Sequence, residues 1–216
     1  MAETRQDGAL IVVTGKSRSG KSAWVKAQIE QYARQLVFDI KGEYSEQMGY
    51  TVVRNLVELA DLLQATPGPL KVAYRPASPV KEFGTWAKAA FTWCKMSPCA
   101  ILAEELADVT TPAKAPDGWG QVCRQAQGFG AVIYAITQRP SESDKTAMGN
   151  ATLIHCCKMV RASDREYMAR EMDVKVEELN ALMDPMDDQG KPTKGPHWIE
   201  KCLKSNQVKK GKLTFH

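Results

Sequence analysis

The apolar segment 9–14 is followed immediately by a glycine-rich loop and then by a segment with helical character. The loop fits the pattern G-x-x-x-x-G-K-[ST], which binds phosphate when it joins a strand to a helix. Its eight residues are Gly15, Lys16, Ser17, Arg18, Ser19, Gly20, Lys21 and Ser22. Glycines let consecutive N–H groups turn inward around a phosphate, and the N-terminus of the following helix adds unpaired N–H groups. The chain is therefore predicted to bind a nucleoside triphosphate.

Two side chains of this loop have specific chemistry. Lys21 is expected to place its positive charge at the β- and γ-phosphates, and Ser22 to offer its hydroxyl to Mg²⁺. A glycine-serine turn that matches by chance is the alternative, and the flanking strand and helix argue against it. The loop alone does not separate a kinase, a nucleotide switch and a motor.

The order of apolar runs predicts the fold class. Short β-prone runs alternate with helical segments, which favours an α/β fold with a doubly wound, mainly parallel sheet flanked by helices. The length of 216 residues and the apolar content of 44% suit one large domain. We expect a nucleotide-binding domain over residues 1–190 and a basic extension over residues 191–216, with a hairpin formed by residues 198–199 and 213–215. No apolar run approaches the roughly 20 residues of a membrane span, so a soluble protein is expected.

Two further groups of polar residues follow apolar runs. Glu104 and Glu105 end the run 99–103, and Gln138 ends the run 131–137. Side chains just past the carboxyl ends of parallel strands face the ligand crevice. Glu104 is expected to hold Mg²⁺, directly or through water, and Glu105 to act as general base on the attacking water, although which carboxylate does which job stays open. The amide of Gln138 is expected to contact the γ-phosphate or its water.

These motifs together resemble the HerA/FtsK superfamily of P-loop motors. The resemblance rests on the phosphate-binding loop, on residues 39–44 (Asp-Ile-Lys-Gly-Glu-Tyr), on the acidic pair and on residues 137–140 (Thr-Gln-Arg-Pro). The resemblance covers residues 9–167. A motor core this small is most similar to the genome-packaging ATPases of tailless, internal-membrane double-stranded DNA phages. The resemblance implies a RecA-like sheet, a ring that is often a hexamer, Mg²⁺-dependent ATP hydrolysis at subunit interfaces, and double-stranded DNA as partner.

In such rings a neighbouring subunit donates a basic residue to the phosphates, and Arg161 and Arg124 are the candidates for it. A packaging motor would also meet a capsid vertex or virion membrane proteins, in the host cytoplasm or at the virion vertex. Segments 108–120 and 139–150 are long enough to be loops that reach DNA in a pore.

The C-terminal part of the chain is basic. From residue 191 to 216 there are seven lysines and one glutamate. That excess suits nucleic acid or another anionic surface, and equally a solvated tail.

Three other classes of protein also contain a phosphate-binding loop of this kind. A small P-loop kinase has a similar length, but the arginine-rich lid typical of such kinases is not evident in the sequence. A GTPase-type switch needs an Asn-Lys-x-Asp motif, and the chain has no Asn-Lys dipeptide. A non-viral HerA/FtsK-type translocase in conjugation or DNA processing is a closer alternative to a motor that packages viral DNA into a preformed capsid.

Overall fold

The computed structural model describes residues 7–213, and within them nine strands form one sheet. The strands are β1 (Ala9–Thr14), β2 (Arg34–Phe38), β3 (Thr51–Val53), β4 (Leu70–Tyr74), β5 (Ala100–Ala103), β6 (Val132–Thr137), β7 (Leu153–Cys157), β8 (Trp198–Cys202) and β9 (Gln207–Gly211). The helices are α1 (Lys21–Ile29), α2 (Leu56–Ala65), α3 (Pro79–Cys94), α4 (Leu106–Val109), α5 (Asp117–Gln125), α6 (Lys145–Gly149), α7 (Ala162–Met172) and α8 (Val176–Asn180). None of the helices in this part of the chain is long and apolar enough to cross a membrane.

The strand order is β3-β4-β2-β5-β6-β1-β7-β8-β9. The first seven of these strands run parallel, and β8 and β9 are antiparallel. Strand β1 lies between β6 and β7, so the segments that follow these three strands meet at one edge of the sheet. Strand β5 lies on the other side of β6 and brings its carboxyl end to the same edge. The predicted α/β fold with a mainly parallel sheet is confirmed.

Both faces of the sheet are covered, as the continuous apolar runs of the strands require. Leu10 and Val12 of β1 pack into a large core beneath α2, α3 and α5. Ile11 and Val13, which point the other way, pack into a smaller core with Trp24 of α1. Alternate residues of a strand point to opposite faces, and here each face meets an apolar layer.

The C-terminal hairpin differs from its prediction. The first strand of the hairpin, β8, contains the predicted apolar pair Trp198 and Ile199 and pairs with β7. The second strand, β9, spans Gln207–Gly211. Of the predicted second strand at 213–215, Leu213 is not in a strand, and residues 214–216 lie outside the described part. Strand β9 is exposed along most of its length and carries Lys209 and Lys210. Charged residues are common on edge strands because they discourage pairing with another chain, and they leave no apolar signal.

Two segments predicted as open loops contain helices. Within segment 108–120, the indole of Trp119 is fully buried in α5 and donates a hydrogen bond to Asp144 Oδ2 at 3.0 Å. Asp144 in turn caps α6 inside segment 139–150. Trp119 is therefore part of the core, and its side chain is not available to DNA. Lys114 keeps an exposed side chain.

Candidate active site

The phosphate-binding loop joins β1 to α1, as the sequence predicts. Gly15 (φ 146°) and Gly20 (φ 96°) have backbone angles that favour glycine. A Cβ atom at Gly15 would lie 2.7 Å from Cys157 Cβ, so the loop passes directly over the end of β7. Lys16 N donates to the Lys158 carbonyl at 2.8 Å, which fixes the loop on the same strand end. The loop is thus held in a phosphate-cradling shape by glycine geometry and by β7.

The ammonium group of Lys21 lies inside this loop. Lys21 Nζ donates to the carbonyl oxygens of Gly15 and Lys16, at 2.6 Å each. Burial lowers the pKa of Lys21 to about 8, an effect partly offset by Cys157 and Glu105. A buried cation is stabilised by a nearby anion, so a phosphate in the loop would restore an ordinary pKa. Lys21 is preorganised to meet negative charge.

Glu104 lies at the carboxyl end of β5 and is 3% exposed. Its Oε2 is buried and has no hydrogen-bond partner among the described residues. Burial raises the pKa of Glu104 to about 8, and Glu43 and Asp39 add repulsion. An unpartnered buried carboxylate surrounded by other acids is the environment that a divalent cation would stabilise.

The residues present therefore fit Mg²⁺. No cluster of three or more His, Cys, Asp or Glu suited to a metal is found within residues 7–213. Mg²⁺ in phosphate-transfer sites commonly takes one or two protein oxygens, with phosphates and waters completing its shell. Ser22 lines the cleft beside Lys21. Glu104 would supply the other protein oxygen of the predicted ligand pair.

Glu105 follows Glu104 in a left-handed backbone conformation (φ 50°, ψ 52°), which is uncommon outside glycine. Its Oε1 accepts a hydrogen bond from Gln138 Nε2 at 2.7 Å and contacts Lys41 Nζ. Thr137 Oγ1 accepts from Arg139 N at 3.1 Å, so the turn that carries Gln138 is itself fixed. The structure thus brings together Glu105 and Gln138, two residues that the sequence placed on separate strands.

Residues 39–44 form a tight turn after β2. The buried carboxylate of Asp39 accepts from the Glu43 and Tyr44 N–H groups at 2.8 and 3.3 Å, and from Arg75 Nε at 3.1 Å. The role of Asp39 is to shape this turn. The turn directs Lys41 toward Glu105, a contact that no local sequence pattern indicates.

A cleft of about 760 Å³ opens above the loop, between Lys41 and Glu43 on one side and segment 184–188 on the other. Asp184 Oδ2 lies 3.0 Å from Lys16 Nζ and 3.0 Å from Lys158 Nζ. Hydrogen bonds from these two lysines outweigh burial and lower the pKa of Asp184. Segment 184–188 was not predicted to belong to the site, because its link to the loop spans more than 160 residues.

The two arginine candidates lie apart from the loop. Arg161 follows β7 at the cleft edge of the sheet, is half exposed and pairs with Glu142 Oε1 at 3.0 Å. Arg124 is exposed near the end of α5, which leads to the amino end of β6 and therefore to the opposite edge. Among the hydrogen bonds and ion pairs of residues 7–213, neither arginine contacts the phosphate-binding loop.

The fold is similar to that of viral NTPases of known structure. No family model matches the chain. Protein P9 of Pseudoalteromonas phage PM2 is 29% identical over 174 residues, which cover 79% of this chain and 78% of P9. The genome packaging NTPase B204 of Sulfolobus turreted icosahedral virus 2 superimposes with a TM-score of 0.75 at 14% identity, over 96% of this chain and 98% of B204.

A second B204 structure, the DNA-packaging ATPase from Sulfolobus turreted icosahedral virus, gives a TM-score of 0.70 at 15% identity and covers 98% of this chain and 100% of its own. The predicted resemblance to viral genome-packaging ATPases is thereby confirmed, and the chain has the P-loop NTPase fold of B204.

Proposed function

We propose that this chain is an ATP-hydrolysing motor that translocates double-stranded DNA and packages a viral genome into a preformed capsid. The observation that carries the proposal is the hydrogen bond between Gln138 and Glu105 beside the phosphate-binding loop. A carboxylate and an amide held together there suit activation of water, whereas a kinase must instead bring an acceptor to the γ-phosphate. The similar B204 fold, solved in complex with AMPPCP and with ATP-gammaS, supports this interpretation.

Hydrolysis would use the residues in the following roles. The loop N–H groups and Lys21 hold the β- and γ-phosphates, and Glu105 accepts a proton from the attacking water. Gln138 holds Glu105 in place and contacts the water or the γ-phosphate. Mg²⁺ held by Ser22 and Glu104 would neutralise charge that develops on the phosphate oxygens. Lys21→Ala is therefore expected to abolish hydrolysis.

The motor would work as a ring, proposed as a hexamer, with each active site completed by an arginine of the next subunit. Double-stranded DNA is the proposed partner, and the capsid vertex or virion membrane proteins are the proposed docking points, in the host cytoplasm or at the virion vertex. In sequence-independent DNA binding, contacts with the DNA phosphates supply most of the affinity. The exposed lysines of the β8–β9 hairpin offer such contacts, whereas segments 108–120 and 139–150 are partly helical.

The test is ATP turnover by the purified protein with and without double-stranded DNA, alongside Glu105→Gln. We expect DNA to stimulate turnover, and Glu105→Gln to bind ATP but to lose turnover by roughly 10²-fold or more. Turnover unchanged in both comparisons would reject a DNA-driven motor. Phosphoryl transfer from ATP to a small acceptor would instead establish a kinase. A fully active isolated monomer would show that the ring is not needed.

A further inference from the structure

Lys41 is a cation in the candidate site to which the proposed mechanism gives no role. It lies in the turn after β2 that Asp39 and Arg75 hold in place. Arg75 Nη2 donates to the carbonyls of Gly42 and Tyr44, at 3.2 and 2.7 Å. The backbone of Lys41 is thus fixed, while its side chain remains 37% exposed and lines the same cleft as Lys21. A four-carbon side chain on a rigid turn can reorient without any repacking of the core.

The ammonium of Lys41 contacts Oε1 of Glu105, the same oxygen that accepts from Gln138. Burial alone would lower the pKa of Lys41, but the hydrogen bond with Glu105, with further attraction from Glu104 and Glu43, raises it above its usual value. An ammonium in contact with a carboxylate stabilises its charged form, so Glu105 is a weaker base while Lys41 and Gln138 both bind its Oε1.

We propose that Lys41 is a catalytic residue that exchanges partners when ATP binds, leaving Glu105 for the γ-phosphate of the same subunit. The inference rests on the proposed ATPase function. A triphosphate carries several negative charges against the single charge of Glu105, so it would draw the ammonium away. Lys41 stays protonated throughout, and no bond is made or broken at it. The exchange would free Glu105 for water and place a positive charge where charge develops in the transition state.

The experiment compares Lys41→Met and Lys41→Arg with the wild-type chain. ADP and ADP with aluminium fluoride, both with Mg²⁺, are titrated by calorimetry, and kcat and KM for ATP are measured in parallel. Planar aluminium fluoride mimics the transferring phosphoryl group. We expect Lys41→Met to bind ADP within about threefold of wild type, but to lose on the order of 10²-fold in affinity for ADP with aluminium fluoride and in kcat. Lys41→Arg, which keeps the charge, should recover part of both losses.

Lys26→Met is the matched control, because Lys26 has similar exposure and contacts Glu43 in the same turn as Lys41, but lies outside the cleft lining. This variant should behave as wild type in every titration. If the wild type is active and Lys41→Met matches it in kcat and in affinity for ADP with aluminium fluoride, the role of Lys41 is overturned. The ATPase proposal would then still stand. A wild type that neither turns over ATP nor binds ADP with aluminium fluoride would overturn the ATPase proposal, and the role of Lys41 with it.

Discussion

Gln138 donates a hydrogen bond to Glu105 over 2.7 Å, although 33 residues separate them in the chain. The two residues meet because β5 and β6 are parallel neighbours, with Ala103 of one strand opposite Ala135 of the other. Strand β5 ends at Ala103 and β6 ends two residues past Ala135, so the side chains that follow both strands face the same crevice. The amide thereby fixes the orientation of a carboxylate whose backbone is already in an uncommon conformation.

Removal of this amide should slow hydrolysis without weakening nucleotide binding. We expect Gln138→Ala to lower kcat on the order of 10²-fold, because a preorganised donor is removed from the reacting centre. KM for ATP should change only severalfold, since the phosphate contacts of Lys21 are untouched. Gln127→Ala is the control, because Gln127 bonds the Cys123 and Asn150 carbonyls away from the cleft. An unchanged kcat in Gln138→Ala would remove Gln138 from the mechanism.

Mixing experiments should reveal an arginine donated between subunits. We expect Arg161→Ala to lower kcat roughly 10³-fold, because a trans-acting arginine stabilises charge on the transferring phosphoryl group. Neither Arg161→Ala nor Glu105→Gln rings should be active alone. Mixed rings should regain activity, because some interfaces then pair an intact Glu105 with an intact Arg161.

Arg170→Ala, an exposed arginine in the α7 helix that Arg161 precedes, serves as the surface control for this experiment. Arg124→Ala is mixed with Glu105→Gln in the same way. Arg124 is the donated residue if Arg124→Ala is inactive alone but regains activity when mixed with Glu105→Gln, and if Arg161→Ala retains full activity. Failure of both arginine variants to lose activity would exclude these two residues as the donated group.

The sequence indicated those parts of the site that are local in the chain. The phosphate-binding loop, the acidic pair and Gln138 each follow a strong apolar run, so both strand and edge were predictable. The contact between Lys41 and Glu105 joins residues 64 positions apart and depends on the turn shaped by Asp39 and Arg75. No periodicity or spacing encodes a contact of this kind.

Helix ends were less predictable for a similar reason. The helical pattern beginning at residue 163 predicts one helix to about residue 183, but the structure ends α7 at Met172 and starts α8 at Val176. Asp173 adopts a left-handed conformation (φ 50°) and stops the helix although no glycine marks the position. Likewise, the helical pattern from residue 22 predicts a helix to about residue 34, but α1 ends at Ile29. The chain from Arg34 onward instead pairs with β4 and β5 in the sheet.

Neutralising the hairpin lysines should weaken DNA binding through charge alone. We expect the triple variant Lys204→Gln, Lys209→Gln and Lys212→Gln to keep its ATP turnover without DNA and to bind DNA more weakly. The slope of log K against log salt should fall by about 0.9 for each DNA phosphate that the variant no longer neutralises. The control carries the same change at three exposed lysines of α3 or its end, Lys81, Lys88 and Lys95. Equal DNA affinity in the two triple variants would place the DNA-binding surface elsewhere.

Stability should depend on pH through a buried histidine that contacts both the C-terminal hairpin and α1. His155 is fully buried, its Nδ1 lies 2.8 Å from Glu200 Oε1, and its ring stacks on Trp24 at 3.9 Å. Burial lowers the pKa of His155 below its usual 6.5, although Glu200 opposes the shift. As pH falls through 6.5 the unfolded chain therefore binds a proton that the folded chain does not, and the free energy of unfolding decreases.

The limiting slope is about 1.4 kcal/mol per pH unit for one such proton. Urea unfolding of wild type and His155→Asn between pH 7.5 and 5.0 measures this contribution. Asparagine keeps an N–H that can reach Glu200, so the variant should fold with reduced stability at pH 7.5 but lose less of it on acidification. If His155→Asn retains the full pH dependence of the wild type, proton uptake on unfolding occurs at other groups, and His155 is not the source of the acid sensitivity.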